Sequence, residues 1–192
     1  MRNVVLWVVA AMTLSLTGCA LAPQTISLTT QPEVKGRTTV ARDALVRTVD
    51  ERSQESNVLG TRGGIAPDRS PLLSDKALAD VLTGDLQRSL KKLGFGAGGS
   101  EEPLKVQLSI QKFFYRCNEN AVVNECGIEI RFLMTVIDGG RTFTKPYGIN
   151  EMRSLAASPV TEYNEVWVND VLSRVWQYIF NDPEFRQALG VN

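Results

Sequence analysis

The chain has 192 residues, with 21 lysine and arginine against 21 aspartate and glutamate, for a formal net charge of zero. This balance supplies no long-range field for nucleic acid or anionic lipid, and a nucleic-acid partner is not expected. There is no histidine, which removes the commonest general base and the commonest metal ligand, and the length suits one domain plus a short extension.

The N-terminus carries Arg2, a mostly apolar run over residues 4–16, and then Leu16-Thr17-Gly18-Cys19. The apolar run is too short to span a bilayer and fits a secretory leader ending in a lipobox. In lipoboxes of this kind the cysteine thiol receives a diacylglyceryl group, a peptidase cuts before it, and the new amino terminus is acylated. Residues 1–18 are therefore expected to be a removable signal peptide, with Cys19 the lipidated first residue of the mature chain. Two or three acyl chains, at about 0.8 kcal/mol per buried methylene, hold far more firmly than one. Residues 19–43 are rich in Thr, Pro and Gln and read as a lipidated N-terminus and flexible tether, with a typical span of roughly 25 to 30 Å. Ile26-Ser27-Leu28 is the part of it that could still join a sheet edge.

Residues 44–192 read as a single periplasmic domain. A short strand over 44–49 leaves through Asp50-Glu51-Arg52 into a polar, glycine-containing loop. Ser74 can cap a helix whose apolar residues Leu78, Val81, Leu82, Leu86, Leu90 and Leu93 recur at helical spacing. Lys91 and Lys92 suit its last turn, and Gly94-Phe95 has the pattern of a glycine C-cap with its hydrophobic contact. From Leu104 the period becomes two, with Val106, Leu108 and Ile110 on one face. A second alternating run covers 128–136, and Asp138-Gly139-Gly140 supplies hairpin turn residues. The strand after it spans about 141–152, where Pro146 argues for a sheet edge or a bulge. A long helix over about 161–180 and a short one restarted at Asp182-Pro183 close the chain. The predicted fold is α+β: a two-layer sandwich of an antiparallel sheet with two main helices on one face, in the order strand-helix-strand-strand-strand-helix.

This layout behind a lipobox resembles the YajG family of bacterial envelope lipoproteins. The resemblance rests on Leu16-Thr17-Gly18-Cys19, on Asp50-Glu51-Arg52 with Val58-Leu59-Gly60 downstream, on Leu93-Gly94-Phe95, on the strand over 104–110 and on the long final helix. It implies a lipoprotein class and an envelope location rather than a reaction. Lipopolysaccharide-assembly lipoproteins and the auxiliary lipoproteins of lipid-trafficking transporters share the element order. By the sorting rule of known lipoproteins, Ala20 in place of an aspartate after the lipidated cysteine implies the outer membrane, with the domain facing the periplasm.

Cys117 and Cys126 flank a polar stretch between two strand-like runs, and in an oxidising periplasm they are expected to form a disulfide. A redox or metal pair would call for C-x-x-C spacing or histidine support, and the chain has neither. Gly94-Phe95-Gly96-Ala97-Gly98-Gly99 matches the letters of the dinucleotide fingerprint G-x-G-x-x-G. Here, however, the glycines follow a helix and lead to a strand, the reverse of the order that delivers amides to a pyrophosphate. Asp50, Glu51 and Arg52 read either as a local salt bridge and turn cap or as a partner-binding cluster. Phe113, Phe114 and Tyr115 interrupt their strand's alternation, through a bulge or as an aromatic contact for a lipid or protein. Of Trp167 and Trp176, one packs on the sheet. The other, most simply Trp176, either joins an exposed aromatic patch or packs against the terminal helix. No catalytic constellation, cofactor site or metal site is expected. The predicted function is a non-enzymatic, lipid-anchored envelope lipoprotein that binds a protein of the envelope machinery; handling of a lipid or glycolipid such as lipopolysaccharide is the alternative.

Overall fold

Two long strands carry most of the alternating apolar residues, and they pair with each other along nearly their whole length. In the computed structural model, which describes residues 21–99, 101–119 and 123–192, they are β5 (Leu104–Glu119) and β6 (Asn124–Asp138). Before them come β1 (Gln24–Ile26), β2 (Ala44–Asp50), β3 (Val58–Thr61), β4 (Pro71–Ser74) and helix α1 (Leu78–Lys92); after them come β7 (Arg141–Leu155), α2 (Thr161–Asn181) and α3 (Pro183–Leu189).

The seven strands form one open sheet in the order β1-β4-β3-β5-β6-β7, with β2 also on β5. The expected antiparallel sheet is in fact mixed. β6 runs antiparallel to β5 and β7, but β2 and β3 both run parallel to β5, along the same edge, and β1 runs parallel to β4. Parallel neighbours need a crossover, and α1, lying between β2 and β5 in the chain, supplies it. The expected element order lacked β1, β3 and β4. The last two lie in the stretch read as a polar loop, where four-residue strands with Gly60 and Pro71 leave no alternation to detect. Gly60 has φ 148°, and a Cβ there would lie 1.9 Å from the Tyr115 carbonyl oxygen, so β3 can approach β5 only with glycine at this position.

The segment read as a flexible tether is docked from Gln24 onward. Ile26 is 1% exposed and Leu28 is buried. Thr29 N–H donates to Asn169 of α2 at 2.8 Å, and Asn169 Nδ2 donates back to the Ser27 carbonyl at 2.8 Å. The lipobox Leu16, Thr17, Gly18 and the lipidation residue Cys19 lie outside the described residues.

Ser74 closes β4 and does not cap α1, whose N-cap is Ala77; the Ser74 hydroxyl instead donates to the Asn57 and Lys76 carbonyls. The C-terminus forms as read. Gly94 takes φ 99° while Phe95 N–H reaches the Leu90 carbonyl and Gly94 N–H that of Lys91, the paired bonds of a Schellman motif, with Phe95 buried against the core. Pro146 lies in β7 at the edge of the sheet, and Asp138-Gly139-Gly140-Arg141 makes the tight turn into it. Asp182 caps α3 by accepting from Glu184 N–H.

The buried side of the sheet takes Leu104, Val106, Leu108 and Ile110 of β5 and Ile128, Ile130, Phe132, Met134 and Val136 of β6. Leu78, Leu82, Leu86 and Leu90, four apart on α1, and Trp167, Val171, Val175 and Ile179 of α2 are buried with them in one core. Trp176 joins the two helices to the sheet: its ring centroid lies 6.4 Å from that of Phe132, and its Nε1–H donates to Asp85 of α1 at 3.2 Å. Asp85 is fully buried and also accepts from Thr30 and Arg88. Burial raises its carboxyl above the ordinary 3.8, against the opposing pull of Thr30 and Arg88. The folded chain therefore keeps a proton that the unfolded chain releases, and this group subtracts stability as pH climbs from about 4. In urea titrations at several pH values, Asp85→Asn is expected to gain on the natural protein as pH rises through this window. A stability difference that does not change with pH would show that Asp85 titrates alike in both states.

Candidate functional site

Arg52 illustrates how the fold uses the residues singled out from sequence. β2 leaves the edge of β5 after Asp50, and β3 rejoins that edge further along, so a gap opens between them. The Arg52 guanidinium fills it. Its Nε and Nη2 donate to the two Asp50 oxygens at 2.9 and 2.8 Å, and Nη1 donates to the Val58 carbonyl at 2.7 Å. The side chain is only 3% exposed. Burial disfavours the Asp50 charge, but the bonds from Arg52 prevail and hold the carboxyl below its usual value. Asp50 and Arg52 are a clamp on the sheet, and only Glu51 of the three is exposed.

The aromatic triplet divides between the two faces. The β5–β6 register shifts between Ile110 and Lys112, so Ile110 and Phe113 both point inward across the bulge. Phe113 and Tyr115 are fully buried. Tyr115 O–H donates to Asn164 of α2 at 2.8 Å, and Asn164 Nδ2 donates to Gln24 of β1 at 2.7 Å. Phe114 is half-buried on the open face of the sheet, in a shallow hollow shared with Lys112, Arg116, Glu129 and Met152. Neither tryptophan is exposed. Trp176 sits in the core as described, and Trp167 Nε1–H donates to Glu151 of β7 at 2.7 Å. Glu151 also takes Arg153 and Arg174, and these bonds outweigh its partial burial and keep its carboxyl low.

Cys117 and Cys126 face each other across β5 and β6 and are joined by a disulfide. The strands continue beyond it to Glu119 and Asn124, so the bridge pins the ladder from within rather than at the base of a loop. The Gly94 to Gly99 run leaves α1 and reaches β5 without starting a helix.

Sequence reasoning missed a cleft of about 660 Å³. It opens where the β6–β7 turn meets α3, and Arg42, Glu101, Asp138, Arg141, Phe143 and Gln187 are among its walls. Arg42 Nη1 and Arg141 Nη2 converge on Asp138 at 2.8 and 2.9 Å. The Arg42 hydrogen bond in particular holds the Asp138 carboxyl below its ordinary value, so at neutral pH Asp138 accepts hydrogen bonds and does not donate a proton. The Arg42 Nε is buried with no protein partner. The cleft can recognise polar and charged groups beside an apolar ring. Its lining is scattered over 150 residues of chain, so no local motif announced it. Among the described residues no group of three or more Cys, Asp or Glu is placed to hold a metal ion, and no helix is long and apolar enough to cross a membrane.

The family model Lipoprotein_16, described as uncharacterized lipoprotein, matches residues 29–190. The chain belongs to this lipoprotein family. The YajG resemblance is thereby borne out, and with it an association with the cell envelope. Two solved structures align with the chain. The crystal structure of protein XCC0632 from Xanthomonas campestris, of the DUF330 family, aligns at 10% identity with a TM-score of 0.57, over 83% of this chain and 92% of that one. A crystal structure of an uncharacterized protein aligns at 10% identity with a TM-score of 0.47, over 82% and 98%. No curated protein matches. The first likeness shows that a lipoprotein of this family shares its fold with a DUF330 protein.

Two substitutions test the local readings. Replacing Cys117 and Cys126 together by Ala is expected to lower stability by about 2.5 to 3 kcal/mol, from the chain entropy of a ten-residue loop. Denaturant midpoints should fall to match those of the reduced natural protein, and unchanged midpoints would contradict this. Glu151→Ala leaves the buried Trp167 N–H unpaired and is expected to destabilise by about 1 to 3 kcal/mol. Thermal unfolding followed by tryptophan fluorescence measures it, and an unchanged midpoint would assign Glu151 no structural role.

Proposed function

We propose that this lipoprotein is a non-enzymatic accessory factor of the outer membrane, held by acyl chains on Cys19, whose periplasmic domain binds a protein of the envelope machinery. The observation that carries this reading is the lipoprotein family match over most of the chain. Ala20 after the anchor supports outer-membrane sorting. The cleft beside α3 is the recognition surface in this account. It combines the Phe143 ring with Arg42, Arg141, Asp138 and Glu184, the mix of apolar and charged groups that protein interfaces use. Lipid handling has no comparable support, because the apolar interior is filled by Trp167, Trp176 and Phe132 and the described cavities are open clefts.

The test is in-cell photo-crosslinking from an unnatural residue placed at Thr142 or Gln187, both in the cleft wall. A Cys19→Ala form exported through an ordinary signal serves as the control. A defined envelope protein captured by the anchored form and lost in the control is the expected outcome. Lipid adducts without a protein adduct would replace this function with lipid handling, and equal capture by both forms would remove the anchor from the mechanism.

A further inference from the structure

We infer that one end of the domain sits directly on the bilayer that holds Cys19, with Ile65 and Val160 turned into the headgroup layer. The inference rests on the anchoring reading above and adds an orientation to it.

The strand register defines that end. Gln24 pairs with Leu72, Thr61 with Pro71 and with Arg116, Cys117 with Cys126, and Asn124 with Leu155. The start of β1, the loop over 62–70, the end of β5, the start of β6, and the loop over 156–160 therefore lie along one rim of the sheet. The chain is fastened there. Arg62 donates to the Ala22 carbonyl and, at 3.2 Å, to that of Pro159, and Gln24 Nε2 donates to the Pro159 carbonyl at 3.3 Å.

Cys19 precedes Ala22 by only three residues. Fully extended, three residues span about 11 Å. An acylated cysteine lies at the level of the headgroups, a layer about 5 to 8 Å deep on each side of the hydrocarbon. Even at full extension, the fastened rim stands no more than roughly 3 to 6 Å beyond that layer.

The rim also carries the apolar side chains such a seat requires. Ile65 is 85% exposed and Val160 is 62% exposed. Gly63 and Gly64, with φ 79° and 84°, turn the backbone just before Ile65, and a Cβ on Gly63 would lie 2.1 Å from the Cys117 carbonyl oxygen. The loop is thus pressed onto the Cys117 backbone while its isoleucine stands out. Two exposed apolar side chains at the point of anchorage match a surface that meets lipid. The opposite rim, where Asp138 pairs with Arg141, carries Glu101, Arg42 and the cleft, and its apolar Leu45 and Ile137, in register on either side of Lys105, are less exposed than Ile65 and Val160; this rim faces away from the membrane in the proposed seating.

The lipidated protein, expressed with its own leader, is reconstituted into phosphatidylethanolamine and phosphatidylglycerol vesicles containing doxyl-labelled lipid. With Cys117 and Cys126 bridged and Cys19 alkylated, an added cysteine is the free thiol for an environment-sensitive nitrobenzoxadiazole label. Ile65→Cys places the label on the proposed seat, and Gly140→Cys places it on the far rim, in open space. The expected result is a blue shift and several-fold stronger quenching at position 65 than at 140, abolished in the Cys19→Ala form. Equal quenching at both positions, with the acyl mass present on Cys19 by mass spectrometry, would overturn the seating and leave the anchoring reading intact. Absence of the acyl mass would overturn both.

Discussion

β5 is the constraint on which the rest of the structure depends. Among the described residues it is the one strand with three partners, β6 on one side and β2 followed by β3 on the other. Sharing one edge between two strands leaves a gap, and the gap coincides with the bulge in β5 itself. Without the bulge, strict alternation of the same residues beyond Ile110 would turn Phe113 and Tyr115 to the opposite face and out of the core. The Asp50 and Arg52 clamp and the glycine at position 60 are both consequences of this arrangement. One holds the chain where β2 departs, and the other lets β3 close on Tyr115.

Much of the frame was legible in the residues because it is periodic. The leucines of α1 repeat every four positions, β5 and β6 alternate over long runs, and Leu93-Gly94-Phe95 spells a helix stop. These are local patterns and survive as such. The parallel pairings of β2, β3 and β1 are set by crossovers and by contacts between distant segments, which no local pattern records. The tether was misread for a related reason. Its Thr, Gln and Pro residues have the composition of a linker, but Asn169 of α2 and Arg62 satisfy its backbone, and Ile26 and Leu28 supply just enough apolar surface to dock it.

Apart from the exposed Glu51, the polar groups that stood out in the sequence proved to be structural. Arg52, Trp167, Trp176 and Tyr115 each carry a polar group into the interior, and each finds a partner there: Asp50, Glu151, Asp85 and Asn164 respectively. Buried polar groups that are fully paired specify a packing arrangement more than a chemistry. In the proposed function the recognition surface is the cleft around Asp138, assembled from the start of β7, the terminal helix and the segment before β2. Only the folded chain brings those pieces together.

Docking of the N-terminal segment changes how the protein relates to its membrane. A free tether over residues 19–43 would hold the domain roughly 25 to 30 Å away on average, whereas fastening at Ala22 leaves about 11 Å at full extension. On the proposed seating, the cleft would gain its reach from the length of the domain itself, which would stand on one rim and present the other. Neutron reflectometry of the lipidated protein on a supported bilayer reads this distance directly. Protein density beginning at the headgroups, with no intervening layer of water, is the predicted profile. A hydrated gap of roughly 25 Å between bilayer and domain would contradict the account and restore the free tether.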